Sequence, residues 1–162
     1  MENDKPDMFY MTEALKQAAY AAQEDEVPVG CVIAYGGRII ARAYNQVEKL
    51  RDPTAHAEMI AITQAADAMG NHRLLEATLY VTCEPCAMCA GAMVHARIKR
   101  VVYGASEPKM GCAGSVMDIL RDTRLNHRCE VVGGVMAEES AKILREFFER
   151  KRRKDASKPA DN

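Results

Sequence analysis

The 162-residue chain suits one globular domain and leaves little room for a second. With 48% apolar and 28% charged residues it is neither a disordered tract nor a collagen-like or disulfide-stapled scaffold, and no apolar run reaches the roughly 18–20 residues of a membrane span. Its 22 basic and 23 acidic residues leave a net charge of −1, which excludes a uniformly basic nucleic-acid binder.

The charge is nonetheless unevenly spread. Residues 1–29 hold seven acids and only Lys5 and Lys16, residues 94–128 hold seven bases against three acids, and residues 150–154 read Arg-Lys-Arg-Arg-Lys. Such asymmetry points to an anionic partner on one face, although a terminal basic run also suits a solvated helix end. The polar, acidic start from Met1 to Asp7 is the reverse of a secretory leader, and a cytoplasmic protein is expected.

From the N-terminus, Met8, Met11, Leu15, Ala18, Ala19 and Ala22 recur at helical spacing and predict a helix over 8–23. Val27-Pro28-Val29-Gly30 breaks it. Strands are expected at Cys31–Tyr35 and Arg38–Ala41, joined by the two-residue turn Gly36-Gly37. A polar loop to Pro53 precedes a helix from Thr54 to about Met69, capped by Asp52 or Thr54. Ala77–Thr82 reads as a strand. Glu84-Pro85-Cys86 opens a helix to about His95, with Pro85 in its first turn. Arg100–Tyr103 is a strand ended by Gly104, followed by a Gly-rich loop over 106–114. A short helix over 115–120, a strand over 130–132 and an amphipathic helix over 137–153, built around Ile143, Leu144, Phe147 and Phe148, complete the pattern. Residues 1–154 then form a single domain and 155–162 a disordered tail. Alternating strands and helices make the class α/β, with helices on both faces of one mixed sheet.

Six cysteines stand at 31, 83, 86, 89, 112 and 129. Without an export signal they are expected to stay reduced. Cys31 and Cys83 lie in apolar runs as small buried hydrophobes, and Cys112 falls in the Gly-rich loop without an assignable role. Cys86 and Cys89 differ, because residues three apart share a helix face and the positive end of a helix favours thiolate. Alone, the pair is also compatible with a redox motif. His56 supplies a third metal ligand at the start of another helix. Three protein ligands leave the fourth tetrahedral corner for water, as in catalytic rather than structural zinc sites. Glu58, two residues on, points about 200° away from His56 in a regular helix, so both meet one metal only at a helix start. There a carboxylate can move the water's proton. His-x-Glu followed by Pro-Cys-x-x-Cys is the pattern of zinc-dependent nucleobase deaminases. His72, His95 and His127 lack a neighbouring ligand partner and read as surface or RNA-facing residues.

From Val27-Pro-Val-Gly30 through Phe148 the chain resembles the bacterial tRNA-specific adenosine deaminases of the cytidine-deaminase-like superfamily. The resemblance rests on Asn45, Asp52-Pro-Thr-Ala-His-Ala-Glu58, Ala77–Thr82, Glu84-Pro-Cys-Ala-Met-Cys-Ala-Gly-Ala-Met93, Arg97-Ile98, Gly111–Asp118, Asn126-His-Arg128 and Phe147-Phe148. It implies a three-layer α/β/α sandwich with a mixed, mainly five-stranded sheet, a homodimer, and one zinc ion per subunit held by His56, Cys86 and Cys89. It implies too that Glu58 shuttles protons while adenosine is hydrolysed to inosine at the wobble position of the anticodon of an arginine tRNA. By the same resemblance Asn45, Val29 and Ala57 meet the extruded nucleoside. Lys109, Phe148, Lys151 and Arg152 then meet the anticodon stem-loop, with one of the Phe147-Phe148 pair buried and the other near RNA. Cys83 and Cys112 are foreign to the motif, and Glu107 stands where the family carries the shorter Asp. Two other readings use the same residues: a deaminase of free guanine, cytosine or a nucleoside, and a non-catalytic zinc-stabilised RNA-binding subunit. A fourth protein ligand such as Cys83 or Cys112 would favour the latter.

Overall fold

The computed structural model describes residues 4–159. Ten elements follow one another: α1 (Asp4–Gln23), β1 (Gly30–Tyr35), β2 (Arg38–Tyr44), α2 (Val47–Leu50), α3 (Ala57–Met69), β3 (Thr78–Cys83), α4 (Ala87–His95), β4 (Arg100–Ala105), β5 (Glu130–Val132) and α5 (Ala137–Ala156). The strands form one sheet in the order β2-β1-β3-β4-β5. Its β2–β1 and β1–β3 pairs are antiparallel, and its β3–β4 and β4–β5 pairs parallel. The Gly36-Gly37 turn has φ values of 57° and 75°, the positive pair that a tight hairpin needs and that glycine adopts without steric cost.

Both faces of the sheet are covered, which is why its inner strands are apolar on successive residues instead of alternating. Cys31, Ile33, Leu79, Val81 and Val101 pack against Ala57, Ala61, Ala65, Cys89 and Met93 of α3 and α4. The intervening Val32, Ala34, Tyr80 and Val102 turn to Met11 and Ala14 of α1 and, at the start of α5, Met136. These layers match the expected sandwich. Arg100 forks onto the buried Asp7 at 2.6 and 2.7 Å, and the Tyr80 hydroxyl donates to Asp7 at 2.9 Å, tying α1 to the middle of the sheet.

Several boundaries differ from the sequence expectation, each for a local reason. The expected loop before Pro53 contains the single helical turn α2, too short to show periodicity. The amides of Glu48 and Lys49 donate to the Glu26 carboxylate at 3.2 and 2.9 Å. The next helix begins at Ala57, not Thr54, because Asp52 does not cap it. Asp52 Oδ1 instead accepts the Thr54 amide and hydroxyl at 2.8 and 2.7 Å, closing a turn, and His56 takes the cap position. Pro85 likewise precedes α4 and does not lie in its first turn; Cys86 is the cap. No helix forms over 115–120. The amides of Ala113 and Ser115 are drawn to the Glu84 carboxylate, and Ala113 bridges Asp118 in an antiparallel pair.

Strand β4 runs past Gly104 to Ala105. A Cβ on Gly104 would lie 2.4 Å from Ser140 Oγ, so glycine there permits the close approach of α5 and does not end the strand. Helix α5 continues to Ala156 and absorbs the first two residues of the expected tail, whereas residues 160–162 lie outside the described residues. His127 is half-buried with Nε2 2.7 Å from the Ile98 carbonyl, a brace and not a surface group.

Candidate active site

The end of β2, the start of β1 and the ends of β3 and β4 meet at one border of the sheet, where ligand crevices form beyond the carboxyl ends of parallel strands. His56 and Cys86 hold matching places there. Each is the residue preceding the first turn of its helix, in extended conformation with φ −72° and ψ 151° for His56, and φ −75° and ψ 177° for Cys86. An extended residue at this point turns its side chain away from the helix and toward the helix start. Cys89 lies in the first turn of α4 and is fully buried.

His56 Nδ1 is 3.6 Å from Cys86 Sγ and 3.5 Å from Cys89 Sγ, and the three donor atoms lie within 4.8 Å of one another. Zinc bonded at about 2.0–2.1 Å to imidazole and about 2.3 Å to thiolate in a tetrahedron places nitrogen and sulfur about 3.6 Å apart. The donor set therefore fits zinc without rearrangement. Among the described residues this is the one such cluster, and neither Cys83 nor Cys112 joins it. Cys83, expected in the core, is half-buried on the wall of the cavity described below. Burial, reinforced by the charge of Glu58, pushes its thiol up to about 12, so it stays protonated.

Within the cluster a hydrogen bond from Cys89 first, and one from His56 after it, pull the Cys86 thiol down to about 3. The bond to Cys86 raises His56, and Cys89, as the donor to Cys86, is raised well above the ordinary thiol range. Glu58 is 4% exposed in the second position of α3, and burial lifts its carboxyl above the usual carboxylate range. A carboxyl raised in this way holds a proton more readily than an ordinary one, which suits it to accept and return one during a reaction.

A cavity of about 710 Å³ opens over this group. His56, Glu58 and Cys86 form its base, and Val29, Asn45, Val47 and Glu48 one flank, with the Glu48 amide held by the almost fully buried Glu26. Cys83, Glu84, Ser106 and Glu107 make another flank. Helix α5 contributes Ala141, Leu144, Arg145, Phe148 and Arg152, whose spacing of three and four sets them on one face. Asn45 is 8% exposed, and its Oδ1 accepts the Ala57 amide at 2.8 Å, which leaves its NH₂ group for a cavity occupant.

The structure thus gathers Val29, Asn45, His56, Glu58, Cys86, Phe148 and Arg152 around one space. Ala57 is fully buried and reaches it only through Asn45. Lys109 and Lys151 are exposed and line none of it; the Lys151 ammonium stands 6.0 Å from the centroid of the buried Phe147 ring. Leu144 and Arg145, not singled out from the sequence, follow from the helical spacing of Phe148 and Arg152. Glu26 carried no signal, since only the fold brings it under α2.

A family model for MafB19-like deaminases matches residues 3–152. The tRNA-specific adenosine deaminase of Bacillus subtilis (strain 168) is 50% identical over 154 residues, covering 94% of this chain and 96% of that protein. A solved chain from work on A-to-I editing by tRNA:A34 deaminases at the wobble position of transfer RNA is 45% identical. It superposes with a TM-score of 0.81 over 84% of this chain and 99% of its own. The guanine deaminase of Nitrosomonas europaea, 22% identical with a TM-score of 0.75, covers 86% of this chain and 83% of its own and shares the fold.

Proposed function

The chain belongs to the tRNA-specific adenosine deaminases of the MafB19-like deaminase family, and from that premise we propose that it hydrolyses adenosine to inosine at the wobble position of a tRNA anticodon. The observation that carries the chemistry is the convergence of His56, Cys86 and Cys89 at zinc spacing beside the buried Glu58. Zinc held by these three side chains supplies Lewis-acid activation of a water, bringing its pKa to about 7.

The chain's own residues do the rest. Glu58 accepts the proton of the attacking water and delivers it to the purine ring nitrogen. It then carries the remaining hydroxyl proton to the exocyclic amine, whose bond to carbon 6 breaks as the carbonyl forms, so that adenosine and water become inosine and ammonia. Asn45, its oxygen held by the Ala57 amide, presents its NH₂ group to an acceptor on the base edge, with Val29 as the apolar surface beside it. An anticodon loop is already unpaired, so its bases splay readily onto aromatic side chains. Phe148, 40% exposed at the cavity, offers such a surface, and Arg152 a phosphate contact. Lys109 and Lys151 act farther out, where the loop continues.

The substrate is the anticodon stem-loop of an arginine tRNA, and the enzyme is a cytoplasmic homodimer with one zinc ion per subunit, as the family resemblance implies. No described helix is long and apolar enough to cross a membrane. The test is inosine formation in an arginine-tRNA anticodon stem-loop, read as A-to-G after reverse transcription. Wild type is expected to convert it, and Glu58→Ala to lose about a hundred- to ten-thousandfold in rate while keeping its zinc. Near-wild-type turnover by Glu58→Ala would sink the assigned role. A zinc-replete wild type that makes no inosine would redirect the search to free purine and pyrimidine bases.

A further inference from the structure

Glu84 is nearly fully buried, 4% exposed, and its carboxylate accepts four hydrogen bonds. Those bonds all come from one segment. Oε1 takes the Glu107 amide at 3.1 Å and the Ser115 hydroxyl, and Oε2 takes the amides of Ala113 and Ser115 at 3.0 and 3.1 Å. The same short stretch adds a backbone latch, the Cys112 amide donating to the Pro85 carbonyl at 2.8 Å.

Segment 106–118 has no helix and one isolated bridge; its own backbone bonds are local turns, such as Gly111 N–H to the Glu107 carbonyl at 2.9 Å and Gly114 N–H to the Met117 carbonyl at 2.8 Å, which shape the loop without tying it to the sheet. Met110, Val116 and Met117 are exposed, while the buried Cys112 and Ala113 join the core between them, and the Glu84 bonds fix the polar backbone at Glu107, Ala113 and Ser115 around that apolar anchor. Gly111 reports how closely the segment wraps the carboxylate: a Cβ there would lie 2.4 Å from both Glu84 Oε2 and the Glu107 carbonyl oxygen. Ser106 and Glu107, at the head of this segment, line the cavity.

We propose that Glu84 is a positioning residue: its carboxylate gathers segment 107–115 and thereby sets the flank of the cavity against which the nucleotide is held. This rests on the reading of the cavity as the nucleoside site. A glutamine cannot substitute, because its NH₂ group would meet amide donors where an oxygen now accepts them. Ser115→Ala removes one of the four bonds from the segment side and leaves the stretch leading to Cys86 untouched.

The experiment uses zinc-loaded enzyme, the arginine-tRNA anticodon stem-loop, and two readouts. In steady-state kinetics Glu84→Gln is expected to raise KM on the order of tenfold or more, as for loss of hydrogen bonds to a charged group, with a smaller fall in kcat and unchanged zinc content. Ser115→Ala should move KM the same way by less, and the double variant should be no worse than Glu84→Gln alone, since both act through one cradle. Amide hydrogen exchange needs no substrate and so separates this proposal from the functional one. Exchange at Glu107, Ala113 and Ser115 is expected to accelerate in Glu84→Gln while that of α3 and α4 stays as in wild type. Unchanged exchange at those three amides, or loss of zinc and melting temperature together with an unaltered KM, would overturn the proposal.

Discussion

The base of the cavity and its flanks are held by different physics. His56, Glu58, Cys86 and Cys89 sit at the starts of α3 and α4, whose Ala57, Ala61, Ala65, Ala90 and Met93 are buried at 0% exposure against the sheet. Their positions follow from close packing, which resists small displacements. Two stretches of the flanks are tied by hydrogen bonds to a buried carboxylate: 47–50 to Glu26, and 107–115, with Cys112 and Ala113 also in the core, to Glu84. Under the proposed function, a base placed by packing beside flank stretches that lean on hydrogen bonds lets substrate fit change without disturbing the candidate metal ligands.

The sharpest way to break this contrast is at the base. Cys89→Ala should abolish zinc retention and deamination together, because two ligands cannot hold a catalytic zinc, as metal analysis of the purified variant would record. Zinc at one per chain in that variant would show that the three-ligand assignment is wrong. Next in size is a pair of neighbours on α5. Phe147 is 3% exposed and Phe148 is 40% exposed. Phe147→Ala should cost about 3–5 kcal/mol of unfolding free energy, read by denaturant titration, as for other buried aromatics. Phe148→Ala should leave that stability nearly unchanged and weaken stem-loop binding by about 1–3 kcal/mol, the loss of one stacked base. Equal stability losses in both would erase the distinction between core and cavity on this helix.

The smallest effect is expected at the other flank. Glu26→Gln keeps one acceptor for the amides of Glu48 and Lys49 and loses the second, at a cost of about 1–3 kcal/mol for a poorly satisfied buried group. It should raise KM for the stem-loop and leave zinc content at wild-type level. A fall in zinc content would mean that the flank and the base are not independent.

Much of the base was legible in the residues themselves. His-x-Glu and Pro-Cys-x-x-Cys state ligand identity and spacing, and helix starts are marked by local breakers, so the cluster could be assembled before any coordinates. The exact starts were missed by a few residues, because Asp52 could cap a helix or close a turn and only the path of the chain chose the turn. The flanks were nearly illegible. Glu84 is visible only as part of the motif, and its partners lie 23 to 31 residues away. Segment 115–120 looked helical because its local pattern allows a helix; the pull of a distant carboxylate on its amides decided otherwise.

Local periodicity and motif spacing by themselves determined the α/β class, the hairpin, the five strands and the chemical character of the candidate metal cluster. These depend on neighbours within a turn or a strand, and that information lies along the chain. Only the tertiary structure decided that Cys83 faces the cavity, that Arg145 and Leu144 line it, and that two buried carboxylates hold its flanks. Those features arise where segments far apart in sequence satisfy one another's buried polar groups, and a hydrogen bond of that kind leaves no period in the sequence to read.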